Sequence, residues 1–320
     1  MPYSYSLTAS EAIDLALKMI NITSIEDASQ GKDYKYALKI LNLMFKAWSS
    51  NPKLWKRKQG AIFCSYGQNS YQLGSVSGSD NCSLVTDYIT TTLTTASSSN
   101  TIILDSVTNI NINDKIGIEL DDTSSARFWT TVSNVNSGTS TITLTDILPS
   151  QASIGNTVIN YTNKINRPME VLRASLFDLS SEVETPIKKL SYDKYFNLPI
   201  KNQPGRPINY YYDRLLNNSL PYSGTLFVYL TPDNNKYIIR FSYKDLITDV
   251  VNPTDILDIP QEWYLATILN LAVYLDKFGY GKLIEAQATQ QDAMLELSKV
   301  EADNSDDEYL EIQINSSDET

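Results

Sequence analysis

Two close pairs of carboxylates, Asp121 with Asp122 and Glu182 with Glu184, have the side-chain types that a general acid and a general base need. Glycoside hydrolysis places two such groups about 5 to 9.5 Å apart across a cleft. Adjacent carboxylates on a chain with 37 acidic residues arise without any catalytic role, so neither pair is diagnostic. The chain has no histidine, which removes the commonest general base, the usual nucleophile triads and every His-ligated metal site. Cys64 and Cys82 lack the CxxC spacing of zinc and redox centres. Both are read as free, reduced thiols, although sequence alone leaves a bridge between them open. Neither an enzyme nor a cofactor or metal is expected.

The remaining charged feature is KLWKRK at 53–58, where Lys53, Lys56, Arg57 and Lys58 form the one dense basic cluster. It could touch DNA phosphates, but a solvated patch at a helix exit, complementing carbonyls and acidic neighbours, has the same composition. The net charge of −11 argues against a dedicated nucleic-acid binder, because such proteins gain affinity by neutralising phosphates. With 320 residues and 42% hydrophobic content, the chain can build a main domain and a smaller one. Its amino terminus, MPYSYSLTASEA, has neither a basic n-region nor an apolar h-region, so synthesis and folding in a cytosol are expected.

The elements that hold these side chains read as helices, then strands, then helices. Thr8 and Glu11 have capping-box spacing, and Ile13, Ala16, Leu17 and Ile20 follow on one helical face. A second helix presents Tyr34, Ala37, Leu38, Leu41, Met44, Phe45 and Trp48, and stops near Pro52. Near the far end, residues 263–275 carry Thr267 and Asn270 as their only polar side chains. A helix there is apolar nearly all round and must be buried, with Trp263, Ile268, Leu271 and Leu275 as its packing residues in a core or subunit interface. The uncharged run is shorter than the roughly 20 residues of a membrane span, so no membrane is expected. Gly279 and Gly281 release the chain into a last helix, whose seam is Leu283, Ala286, Gln290, Met294, Leu297 and Val300.

Between these helices the composition shifts. Residues 74–163 are rich in Ser, Thr, Asn and β-branched residues, including TTTLTTASSSNT at 90–101. Strands are expected at 101–104, 115–120, 128–135, 139–144 and 156–161. They suggest a small barrel or sandwich at 75–163, inserted in a loop and able to fold independently. Its Thr-rich strands, with Phe128 and Trp129, could offer a glycan-binding face, though solvent-exposed sheet is the commoner origin of such strands. Further strands are expected at 167–178, from Pro186, and at 208–212, 225–230 and 237–243, with SYDKYFN a short helix. The fold class is therefore α+β: a helical domain with a small antiparallel sheet at 1–74 and 164–303, an inserted all-β module, and a C-terminal arm at 304–320.

The motifs TASEAIDLALKMI, YKYALKILNLMFKAWSS, RPMEVLRASLFD, YDKYFNLP, GRPINYYYD, GTLFVYLTPDNNKYIIRFSY and IPQEWYLATILNLAVYLDKFG stand in that order. Together they resemble the head-to-tail adaptors, or tail accessory factors, of short-tailed, podovirus-like phages. The resemblance covers residues 7 to about 300 without the β insertion, which many compact members of that family lack. It implies a ring, usually of twelve copies, beneath the portal protein in the virion. Such a ring prolongs the channel for double-stranded DNA and docks the tail nozzle. The nearly all-apolar helix would then pack against its own strands, its first helices and a neighbouring copy together.

The end of the chain, ADNSDDEYLEIQINSSDET, joins an acidic linker to the alternation Leu310, Ile312 and Ile314. In an extended segment these three share one face, so the segment is read as a portal-binding arm acting by strand addition. Two other functions compete: a receptor- or glycan-binding tail or decoration protein, and an envelope-degrading virion enzyme using the paired carboxylates.

Overall fold

The computed structural model describes residues 5–22, 31–50, 56–74, 80–122, 127–217, 223–281 and 285–303. The chain opens with helices α1 (Ala9–Met19) and α2 (Gly31–Ser50). Strands β1 (Lys56–Phe63), β2 (Ser70–Leu73), β3 (Cys82–Leu84), β4 (Ile89–Thr92), β5 (Thr101–Ile103) and β6 (Lys115–Ile118) come next. They are followed by β7 (Phe128–Asn136), β8 (Thr141–Leu144), β9 (Thr157–Tyr161), β10 (Glu170–Asp178) and β11 (Val183–Lys189). A short helix α3 (Tyr192–Phe196) leads to β12 (Asn209–Asn217), β13 (Ser223–Tyr229) and β14 (Tyr237–Asp245). Helix α4 (Trp263–Leu275), a π-helical turn at Asp276–Tyr280 and α5 (Ala286–Asp303) complete the path.

The chain divides into two units, Met1–Trp55 with Leu246–Thr320 and Lys56–Asp245. This replaces the division expected at 74 and 164, and gathers the helices of the two chain ends into one unit.

In the helical unit, the expected capping box starts α1: Thr8 Oγ1 accepts from Glu11 N at 3.3 Å, and Glu11 Oε2 accepts from Thr8 N at 2.9 Å. The bond from the Thr8 amide holds the Glu11 carboxyl below its ordinary range. Ala9, Ala12, Ile13, Ala16 and Leu17 of α1 are buried with Ala37, Leu41, Met44, Phe45 and Trp48 of α2, the faces that the 3.6-residue period marks. Helix α4 lies at the centre of this core and touches α1, α2 and α5. Trp263 packs at a tilt against Trp48, with ring centroids 5.8 Å apart. Asn270 Nδ2 donates to the Ala266 carbonyl at 2.8 Å and across to the Ala293 carbonyl of α5 at 3.1 Å. That close crossing uses a small residue, so the α5 seam runs through Ala293, part-buried Leu297 and Val300, while Ala286, Gln290 and Met294 of the expected seam are exposed. Gly281, at φ 60°, takes the left-handed conformation that ends the π turn, with its N–H bonded to the Asp276 carbonyl.

The other unit contains two curled sheets. The first has eight strands in the order β2-β13-β12-β11-β10-β14-β1-β3, larger than the small antiparallel sheet expected and mixed in sense, since β11 and β12 run parallel. Cys82 Sγ lies 3.6 Å from the Gln72 carbonyl, which brings the edge strands β3 and β2 together. The sheet thus curls around a core that includes Ile62, Tyr71, Val171, Tyr210, Leu226, Ile239 and Tyr243. The thiol contact sets the two edge strands beside each other without a backbone ladder between them.

The second sheet has six strands in the order β4-β9-β6-β7-β8-β5. Thr94 N donates to the Ile103 carbonyl and Asp105 N to the Thr92 carbonyl, both at 3.0 Å, joining β5 back to β4 as a small barrel. Ile102, Leu104, Ile116, Ile118, Val132, Ile142, Leu144 and Val158 fill it. Strand β4 lies in the Thr-rich tract that the sequence presented as low complexity.

This barrel is bonded to the larger sheet, contrary to the expectation of an independent insertion. Strand β3, inside 75–163, pairs with β1 of the larger sheet. Ala61, Phe63 and Ile238 of that sheet share a buried cluster with Ile159 and Tyr161 of the barrel. Phe63 lies 5.7 Å from Trp129 and 5.9 Å from Tyr161, centroid to centroid. Buried Arg127 crosses the junction, its Nη1 donating to the Thr157 carbonyl at 3.2 Å and its Nη2 to the Asn235 carbonyl at 2.6 Å. Burial lowers its pKa to about 10, so the guanidinium keeps its charge and its bonds at neutral pH.

Candidate interaction surfaces

The carboxylate pairs are used locally. Asp121 accepts from Ser153 N at 2.9 Å, Ser153 Oγ at 2.7 Å and Asn156 Nδ2 at 2.8 Å, which ties the loop after β6 to the approach to β9. The Ser153 hydroxyl, above all, holds the Asp121 carboxyl below its ordinary range. Glu182 occupies a positive-φ turn position at 56°. Its neighbour Glu184 accepts from the Ser175 hydroxyl and from Arg240 Nη1 at 3.1 Å. Cys64 and Cys82 are free and buried, and burial pushes both thiols up to about 12, away from the low-pKa, exposed state of reactive cysteines. Among the described residues no group of His, Cys, Asp and Glu is placed to hold a metal. None of the described helices is long and apolar enough to cross a membrane.

Among the described residues the basic cluster does not form one patch. Lys53 lies outside the described residues, and Lys56, Arg57 and Lys58 open β1 in place of a helix exit. The pleat sends alternate side chains to opposite faces, so Arg57 is separated from Lys56 and Lys58. Lys58 Nζ pairs with buried Asp245 at 2.6 Å, and burial lowers the pKa of Lys56. Trp263, Leu271 and Leu275 are fully buried within the helical unit, and Ile268 packs partly buried against the same core. Leu310, Ile312 and Ile314 lie outside the described residues. Phe128 is partly buried against the barrel core, and Trp129 packs on Phe63 and Tyr161. These two aromatics therefore serve packing and do not form an open glycan platform.

Two surfaces had no local signal in the sequence. One is aromatic: Tyr195 of α3 stacks on Tyr211 of β12 at 5.6 Å and lies 5.2 Å from Phe227 of β13, with exposed Tyr192 and Phe196 beside them. Lys201 Nζ sits 5.5 Å above the Phe196 ring. The other is an open groove of about 450 Å³ on the larger sheet, lined by Gln59, Val85, Arg173, Ser175, Arg240 and Ser242 among others. Arg240 is fixed in its wall, 3.9 Å over the Phe177 ring and bonded to the Tyr88 hydroxyl as well as to Glu184.

No protein-family model matches the chain, and no curated protein matches it. Among solved structures, the VP16-VP17 complex of the two major capsid proteins of bacteriophage P23-77 is similar over 61% of this chain and 86% of that chain, at 11% identity and a TM-score of 0.12. VP17, a capsid protein of the same phage, is similar over 61% of this chain and 84% of that chain, at 12% identity and a TM-score of 0.12. Superposition at that level does not define a common fold, and neither likeness assigns a role to this chain.

Proposed function

We propose that the chain is a structural protein of a short-tailed phage virion, a head-to-tail adaptor that forms a ring under the portal and docks the tail nozzle. The observation that carries this proposal is the helical unit. The segments TASEAIDLALKMI, YKYALKILNLMFKAWSS and IPQEWYLATILNLAVYLDKFG, which carry the resemblance to adaptors, come from opposite ends of the chain and close around α4 as one core. The same unit exposes Leu43, Leu265 and Met294, at 64%, 54% and 59% of their surface, which gives neighbouring copies apolar side chains to cover. The net charge of −11 suits a conduit wall, because repulsion keeps passing DNA from adhering. In this role the protein has no catalytic turnover and takes no cofactor; its partners are the portal, the nozzle, further copies of itself and, transiently, double-stranded DNA.

The portal contact is assigned to residues 304–320. Deleting them is expected to leave both folded units intact and to weaken portal binding by about tenfold or more, the loss expected when a strand-adding anchor is removed. Replacing Leu310, Ile312 and Ile314 by Ser should reproduce most of that loss in co-sedimentation with purified portal. Equal binding by the truncated and full chains would move the contact to the helices.

A further inference from the structure

The groove on the larger sheet contains a row of polar side chains without side-chain partners among the described residues. In the strand register Gln59 of β1 stands opposite Ser242 of β14, and Ser242 stands opposite Arg173 of β10. The three therefore lie side by side across adjacent strands, spanning about 10 Å at the usual strand spacing. None of these side chains makes a hydrogen bond or ion pair among the described residues. Gln59 and Arg173 are exposed and Ser242 is half-buried. The next row along the same face, Ala61, Arg240, Ser175 and Pro186, is the reverse case. There Arg240 is held by Glu184, Tyr88 and Phe177, and the Ser175 hydroxyl donates to Glu184.

An ordered row beside an unpartnered one is the arrangement of a site whose wall is set in advance and whose floor awaits a ligand. The charge of the surroundings defines the ligand's sign. Arg173 and Arg240 face Glu184 in the groove, and the row beyond brings Arg57 opposite Lys244, with Glu170 paired to Lys244 at 3.5 Å and to Lys189 at 3.0 Å. Cations thus outnumber anions here on a chain that is acidic as a whole. A guanidinium fork binds the two oxygens of a carboxylate or phosphate side by side, and more selectively than an ammonium does.

We propose that this groove binds a small anionic ligand, a carboxylate or phosphate carried on a hydroxylated frame as in a uronic acid or a sugar phosphate, with Arg173 as the anion receptor. Ser242 and Gln59 hydrogen-bond the frame's hydroxyls. Val85 and Pro186, on either side, supply apolar contact for its C–H faces. The volume of about 450 Å³ suits a unit of one or two sugars. Arg240 contributes field and wall, since each of its three nitrogens already donates to Tyr88 or Glu184.

Isothermal titration of the full chain with glucuronate, glucose 6-phosphate, glucose and inorganic phosphate tests the proposal. Saturable binding of at least one acidic sugar is expected, with glucose and inorganic phosphate each weaker by about tenfold or more, as loss of a charge-assisted or frame contact entails. Preference between the two acids identifies the anion as carboxylate or phosphate. Arg173→Gln should weaken the acidic ligand by a similar factor, Arg173→Lys should retain part of the affinity, and the melting temperature of both variants should match that of the parent chain. The proposal is overturned if neither acid binds saturably, if glucose binds as well as the acids, or if Arg173→Gln binds them unchanged.

Discussion

Replacing Trp263 by Ala is expected to destabilise the helical unit by about 3–5 kcal/mol, the range for truncating a buried aromatic. Trp263 is fully buried beside Trp48 and lies in the core where α4 meets α1 and α2. A loss of that size is a large share of the about 5–15 kcal/mol that a typical domain has in total. The variant should therefore show early unfolding of this unit in denaturant, with fast amide exchange in α1, α2 and α4 while the β barrel keeps its protection. The buried indole N–H has no acceptor among the described residues. Trp263→Phe removes that donor along with some volume, and should cost less than the alanine change. Leu265→Ala, on the exposed side of the same helix, should stay within about 0.5 kcal/mol. Matching denaturation midpoints for Trp263→Ala and the parent chain would show that α4 is not the centre of the unit.

Excision of residues 75–163, with a short Gly/Ser bridge, is expected to yield insoluble or unfolded protein. The cut removes β3, an edge strand of the larger sheet, and with it the Cys82 thiol that meets β2. It also uncovers Phe63 and Ile238, both fully buried against Ile159 and Tyr161, at about 1.5–3 kcal/mol for each large side chain returned to water. Arg127 leaves too, and the Asn235 carbonyl loses its donor. Soluble yield and far-ultraviolet dichroism of the excised chain check this outcome. A soluble, monodisperse product with its strand signal intact would mean that the aromatic junction is dispensable.

Local periodicity made much of this architecture legible. The Thr8 and Glu11 cap, the buried face of α2 and the span of α4 all follow from side chains a few residues apart. The barrel strands β5 to β9 also lie within about two residues of the bounds expected from alternation. Among the strands that escaped, β4 and the start of β1 have side chains that hide the period. Strand β1 begins with Lys56, Arg57 and Lys58, whose long charged chains look like a solvated run, and β4 is ITTT within a Thr- and Ser-rich tract. The α5 seam shifted because Ala293, a weak hydrophobic signal, is the buried residue whose carbonyl Asn270 of α4 bonds. Pairings between distant strands left no local trace. Gln59, Ser242 and Arg173 come from three separate strands, so their shared row appears only once β1, β14 and β10 are aligned. The same distance in sequence concealed the junction of Phe63 with Trp129 and Tyr161.

Electron microscopy of the purified full chain, imaged alone and mixed with portal protein at several ratios, tests the adaptor proposal most directly. The account predicts closed rings of this chain seated coaxially beneath the portal, with a continuous channel through both. Portal particles that gain no added density at any ratio, while the chain remains monomeric, would contradict it.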